Sequence, residues 1–226
     1  MRPAPPLPFP RAVTCASALN RCAIPGIDWC VNPYAGCAHA CVYCYAACMD
    51  HAGDRDEPWG RYLDARTNVA EALERQVRNG RTGKVVFSSV TDAYQPAEEA
   101  LKLTRNCLSV LRGTGLAPRI LTKSDRVVRD IDVLREFGGL LGDSRPMVGV
   151  SISTLDEDLA AVLEPGAPSP ARRLAALSKV AEAGIRTWVF VAPVIPGLGD
   201  SPEAFEALVQ SARRHGAAEI DFDLLN

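Results

Sequence analysis

From residue 69 onward the chain alternates short apolar, β-rich runs with amphipathic stretches of helical period. That rhythm limits the possible folds more than any other feature. Val69–Arg78 reads as a helix, Lys84–Ser88 as a strand, Glu98–Leu111 as a helix and Arg119–Thr122 as a strand. Val127–Phe137 is expected to be helical, Met147–Ser151 a strand, Pro170–Ala183 a helix closed by Gly184, and Thr187–Val191 a strand. Pro202–Arg214 follows as a helix, with Ser201 as its cap and Pro202 in its first turn, and Glu219–Phe222 is the last strand. An earlier strand is expected within Ile27–Pro33.

Strands separated by helices pair in parallel, because only a crossover connection can return the chain to the same end of a sheet. Six strands are too few for a closed eight-stranded barrel. The α/β class is therefore expected as a partial, open barrel, with an open doubly wound sheet as the alternative. In both, loops at the C-terminal ends of the strands build the site. Residues 1–26 are read as an irregular, proline-rich N-terminal segment and 27–226 as one core domain. The sequence stops at Asp221-Phe222-Asp223-Leu224-Leu225-Asn226, so a last helix is expected to be missing and one face of the sheet to expose apolar surface.

A net charge of −2 gives no global basic signature, so nucleic-acid binding is not favoured, although a local basic groove is compatible with it. Eight cysteines suit either a disulfide scaffold or a metal. The start, MRPAPPLPFPRA, is broken by prolines and has no long apolar core, and no apolar stretch reaches membrane-spanning length. Clustered thiols in such a chain point to metal chemistry in a reducing cytoplasm, with no membrane partner.

The cluster is Cys37-Ala38-His39-Ala40-Cys41-Val42-Tyr43-Cys44, a C-x3-C-x2-C spacing. Four ligands close a structural zinc site, whereas three leave a metal position open for chemistry. Adding Cys48 or His39 would complete a zinc knuckle, and that non-catalytic reading stays open on spacing alone. The chain from Cys41 to Met49 is expected to begin a short helix, and Asp50–Arg61 to be loop.

With an aromatic residue before the last cysteine, the triad resembles the signature of radical S-adenosylmethionine (SAM) enzymes. SSVTDAYQPAE, LTKSDRVVRDIDVL, VSISTLDEDLAAVLEPGAPSP and VFVAPVIPGLGD resemble, in that order, the branch that includes spore photoproduct lyase and its uncharacterised relatives. The resemblance runs from about Ala18 to the end. It implies a radical SAM core on a partial (β/α)6 TIM-like barrel. It also implies a [4Fe–4S] cluster held by Cys37, Cys41 and Cys44, with SAM on the fourth iron. One electron, from a donor such as flavodoxin or ferredoxin, would split SAM into methionine and a 5′-deoxyadenosyl radical that abstracts hydrogen from a substrate. The residues do not name that substrate.

The same resemblance assigns the SAM contacts. Tyr43 occupies the place of the aromatic that approaches adenine, with ordinary packing as the rival reading. Thr91 and Asp92 end the second core strand and offer acceptors for the SAM ammonium, or else cap a turn. Lys123 would pair with the methionyl carboxylate or point to solvent. Ser151 would contact the same part of SAM, and Ala192 would line the adenine pocket; for both, filling of the barrel is the alternative. Glu164-Pro165-Gly166 is distinctive for the branch, with Glu164 expected to cap the next helix or to bind an arginine. Arg172 and Arg173 are expected to be solvated helix charges, or to pair with Glu164 or another acidic group.

One departure is notable. Spore photoproduct lyase uses a cysteine as hydrogen-atom donor near the second-strand turn, and here that stretch reads FSSVTDAYQ. A nucleic-acid repair lyase on the same fold is therefore only an alternative. Cys15, Cys22 and Cys30 match no ligand spacing and are read as scattered thiols, and Cys107 as a core residue.

Overall fold

A computed structural model describes residues 10–48, 57–137 and 145–224. Met49, which was expected in a short helix, and residues 50–56 of the expected loop lie outside the described residues, as do most of the proline-rich start and residues 225–226.

Seven strands form the main sheet: β2 (Leu19–Arg21), β3 (Trp29–Val31), β6 (Thr82–Phe87), β7 (Gly115–Thr122), β8 (Met147–Ser151), β9 (Arg186–Val194) and β10 (Glu219–Leu224). Their spatial order is β10-β9-β8-β7-β6-β3-β2. From β3 to β10 every neighbouring pair is parallel, and the order in space is the order in sequence. A doubly wound sheet reverses its strand order at a switch point. These six strands never reverse, so the fold is the singly wound, unclosed barrel that the alternation implied. The helices α1 (Val69–Val77), α2 (Glu98–Leu101), α3 (Leu103–Leu111), α4 (Ile131–Arg135), α5 (Glu157–Leu163), α6 (Pro170–Glu182) and α7 (Pro202–Arg214) lie in the crossovers.

Alternate strand residues face the helices, as period-two geometry requires. Val31, Val85, Phe87, Ile120 and Val148 are buried with Leu73 of α1 and Leu108 and Leu111 of α3 in the larger core cluster. Val150, Val189 and Val191 join Leu174, Leu177 and Leu208 in the second. The outermost strand, β10, is poorly covered: Phe222 is 46 % and Leu224 67 % exposed. Phe222 still stacks on Phe205 of α7, with ring centroids 4.6 Å apart.

Several expectations need correction. Residues 11–21, read as irregular, supply β1 (Arg11–Val13) and β2, and β2 pairs antiparallel with β3. Three-residue strands are too short to show alternation. Within the crossover after β3, β4 (Tyr34–Ala35) and β5 (Asp64–Arg66) pair with each other, and β5 with β1, in a small separate sheet. The expected helix Glu98–Leu111 is two helices broken at Lys102, whose φ is +52°. Glu98 explains the break: its side chain accepts from the backbone N–H groups of Thr104 (3.0 Å) and Arg105 (3.3 Å), capping α3 from the preceding helix. Val127–Phe137 is a 3-10 turn over Asp125–Asp130 followed by the five residues of α4. The segment from Cys41 forms only a 3-10 helix, Tyr45–Cys48. α5 had not been expected at all; Asp156 caps it by accepting from Leu159 N–H at 2.9 Å.

Candidate active site

The loop carrying Cys37, Cys41 and Cys44 leaves β4 at Gly36, whose φ is +80°. A Cβ there would run into the Tyr62 carbonyl, so only glycine lets the loop pass this closely. Two structures far away in sequence fasten the loop. After β6, Gln95 is fully buried; its Oε1 accepts from Ala38 N–H at 3.0 Å and its Nε2 donates to Thr91 Oγ1 at 3.1 Å. The Thr91 hydroxyl donates to the Gly36 carbonyl at 2.5 Å. From the other side, Leu163 O accepts from Val42 N–H, and Gly166 N–H donates to His39 O, each at 2.9 Å. The distinctive Glu164-Pro165-Gly166 turn is thus a clasp on the cysteine loop. A side chain at 166 would strike the Ala38 carbonyl.

Cys37 and Cys41 are buried and Cys44 is partly buried. Burial pushes all three thiols up, Cys41 to about 12; Cys41 and Cys44 also raise Cys37, and Cys44 raises Cys41. Among the described residues no three His, Cys, Asp or Glu side chains stand close enough to hold a single metal ion. An iron–sulfur cubane sets each thiolate on a different iron, so its ligands stand farther apart than those around one ion. Three thiols on one clasped loop fit the cluster by donor type. His39 lies between them, 1 % exposed; its Nδ1 is 3.4 Å from Asp92 Oδ2, and its Nε2 has no hydrogen-bond partner among the described residues. Asp92 orients the His39 ring through Nδ1, and among the described residues His39 joins no group of three candidate ligands for a single metal ion.

The strand ends bring the remaining residues together. Lys123, at the end of β7, donates from Nζ to Ser151 Oγ of β8 at 2.5 Å and lies 3.1 Å from Glu164 Oε1. Ser151 and Ser153 both donate to the Ala192 carbonyl of β9, at 3.1 and 3.0 Å. The Tyr43 hydroxyl donates to Glu164 and lies 3.2 Å from Ser153 Oγ, with Lys123 Nζ 5.6 Å from its ring centroid. Tyr43, Lys123, Ser151 and Ala192 therefore meet in one place. Thr91 and Asp92 follow β6; Thr91 binds the cysteine loop at Gly36, and Asp92 binds the backbone of Lys123. Asp92 accepts from Thr122 Oγ1 (2.7 Å), Tyr94 N–H (2.8 Å) and Lys123 N–H (2.8 Å). Burial works to raise its pKa, but His39, the Lys123 amide and the Thr122 hydroxyl outweigh that and hold it at about 2.

The organising charge is Glu164, expected either to cap the next helix or to bind an arginine; it binds an arginine. It is buried between Lys123 and Arg173, and its second oxygen pairs with Arg173 Nη2. Burial opposes its ionisation, yet the two cations prevail and hold it at about 2. Of the two readings for Arg173, the structure shows the pairing with Glu164 and not the solvated helix charge. Arg173 is 1 % exposed and also donates to the Pro168 carbonyl (2.7 Å) and the Ser151 carbonyl (3.0 Å). Arg172 is on the surface, donating to Asp125 at 2.6 Å. Cys107 is buried in the core as expected.

An unclosed parallel barrel with a three-cysteine loop clasped across its C-terminal mouth defines a class, and comparison with known proteins agrees. The profile of the Radical SAM superfamily matches residues 31–211, and the chain belongs to that family. It is 36 % identical over 183 residues to the uncharacterized protein MJ0683 of Methanocaldococcus jannaschii, covering 80 % of this chain and 66 % of that one. It is 33 % identical to the uncharacterized protein Rv2578c of Mycobacterium tuberculosis, covering 92 % of this chain and 62 % of that one. It thus spans less than two thirds of the length of these relatives. A spore photoproduct lyase structure with bound AdoMet and dinucleoside spore photoproduct superposes with a TM-score of 0.72 at 18 % identity, over 95 % of this chain and 61 % of that one. No helix among the described residues is long and apolar enough to cross a membrane.

Proposed function

We propose that this chain is a radical SAM enzyme that cleaves SAM reductively, with Cys37, Cys41 and Cys44 holding a [4Fe–4S] cluster. When bound, such a cluster supplies the electron that splits SAM into methionine and a 5′-deoxyadenosyl radical able to take hydrogen from a substrate. The observation that carries this reading is the three-thiol loop clasped at the mouth of the parallel strands.

The chain's own residues would receive SAM as follows. Lys123 and Ser151 meet the methionyl carboxylate. Thr91 and Asp92 would offer acceptors of the right type to the ammonium, with Asp92 held ionised. Tyr43 and the β9 backbone at Ala192 flank the adenine. Glu164 fixes Lys123 and Tyr43, so their positions are set before SAM arrives, and the cost of ordering them falls on folding rather than on catalysis. The electron donor belongs to the low-potential class of flavodoxin or ferredoxin.

The test is anaerobic reconstitution with iron and sulfide. We expect about four irons per chain and release of 5′-deoxyadenosine on adding dithionite and SAM, both lost in Cys41→Ala. One tightly bound zinc and no iron would overturn the reading in favour of a structural metal module.

A further inference from the structure

Two thiols outside the cysteine loop stand together on the opposite face of β3 from the helix-packed core. In the β2–β3 pair Asn20 is opposite Cys30, and the Cys22 N–H donates to the Asp28 carbonyl at 3.2 Å. Cys22 and Cys30 are therefore diagonal neighbours that share one face of the hairpin. The Cys30 thiol reaches back to the carbonyl of Arg21, 3.8 Å away, which is the peptide that enters Cys22. Cys22 Sγ in turn accepts from Ile24 N–H at 3.5 Å, which holds it at the hairpin's end. Trp29 and Val31, on either side of Cys30, are buried in the main core, whereas both thiols are partly accessible. Cys22 and Ser89 both influence the Cys30 thiol, whose pKa burial raises.

We propose that Cys22 and Cys30 form a reversible disulfide by exchange with small-molecule or protein disulfides, a redox modification site separate from the cluster ligands. One cysteine thiolate attacks a sulfur of the incoming disulfide, forming a mixed disulfide and expelling a thiolate. The second cysteine then attacks the protein sulfur of the mixed disulfide and expels the other thiolate. The two cysteines lose two electrons, the incoming disulfide gains them, and the two thiol protons end on the released thiols. The pair abuts the turn that supports the cysteine loop. Asn32 Nδ2 donates to Ser89 Oγ at 3.4 Å, and the hydroxyl of Tyr45, the residue after Cys44, donates to the Ser89 carbonyl. This inference does not depend on iron or SAM.

The deciding experiment uses the full chain, purified without oxygen and incubated in glutathione buffers from reduced to oxidised. After acid quench and N-ethylmaleimide, trypsin, Asp-N protease and chymotrypsin separate Cys22 from Cys30 at Asp28, and Cys30 from Cys37 and the later cysteines after Tyr34. We expect a linked Cys22–Cys30 peptide pair that grows with glutathione disulfide and disappears with dithiothreitol. Cys22→Ser and Cys30→Ser should each leave the remaining cysteine as a mixed disulfide with glutathione. If the unaltered chain keeps both residues maleimide-labelled in the most oxidising buffer, the proposal fails. It also fails if they link instead to Cys15, Cys44 or Cys48. Because the unaltered chain decides the outcome, a variant that does not fold leaves the test intact.

Discussion

Glu164 and Arg173 form an ion pair with almost no solvent on either side chain, 2 % and 1 % exposed. Such a pair gains little net energy over an apolar one, because desolvation offsets most of the attraction. Its consequence here is positional. Arg173 anchors on the Ser151 and Pro168 carbonyls, and Glu164 passes that anchoring on to Lys123 and Tyr43.

Glu164→Gln removes the charge and leaves Lys123 and Arg173 facing each other without an anion. Stranding a buried cation costs about 3–5 kcal/mol. We expect that loss in chemical denaturation, and weaker SAM binding as Lys123 is freed. A loss below about 1 kcal/mol, typical of an exposed pair, would contradict the buried arrangement.

Acid should unfold the protein through the same group. The folded chain ionises Glu164 near pH 2, below its ordinary 4.5, so between those values the unfolded chain binds more protons. The stabilisation is complete above the ordinary value and drains away as pH falls towards 2. Asp92 acts in the same direction, from 3.8 to about 2. Melting temperature should fall over that window in the parent chain and fall less steeply in Glu164→Gln. Equal slopes would show that Glu164 is not ionised in the way described.

Gly166→Ala places a methyl against the Ala38 carbonyl, a backbone atom that cannot swing aside. Overpacking of this kind costs about 1–3 kcal/mol. The strain falls on the cysteine loop, so iron content after reconstitution should drop more than global stability does. Full iron loading would show that the clasp is dispensable.

Gln95→Ala deletes the acceptor for Ala38 N–H and the donor to Thr91. A buried amide without a partner costs about 1–3 kcal/mol. Hydrogen exchange at Ala38 should accelerate, while amides in α6, remote from the change, keep their protection. Unchanged exchange at Ala38 would remove Gln95 from the loop's support.

Much of this was legible in the chain. The six parallel strands follow from alternation, because each buried strand is an apolar run between amphipathic helices. Tyr43, Lys123, Ser151 and Ala192 follow from motif order, and the structure gathers them at one mouth. Arg173 was left between water and Glu164 because a helix-opening arginine normally faces water, and the burial that decides it is a tertiary fact. The break at Lys102 was hidden because Glu98 caps α3 through space, while Glu98–Leu111 keeps an unbroken helical pattern. The clasp at Gly166 leaves only a Pro-Gly signal, which marks a turn but not what the turn touches. The small sheet of β1, β5 and β4 gives no periodicity over two or three residues.

Because the cysteine loop is held from residues 95 and 163–166, the octapeptide from Cys37 to Cys44 is not a portable unit. Grafted into another scaffold, it would bring the sulfurs without the fastenings that order them. A designer moving this chemistry elsewhere would have to transplant the strand ends around it as well.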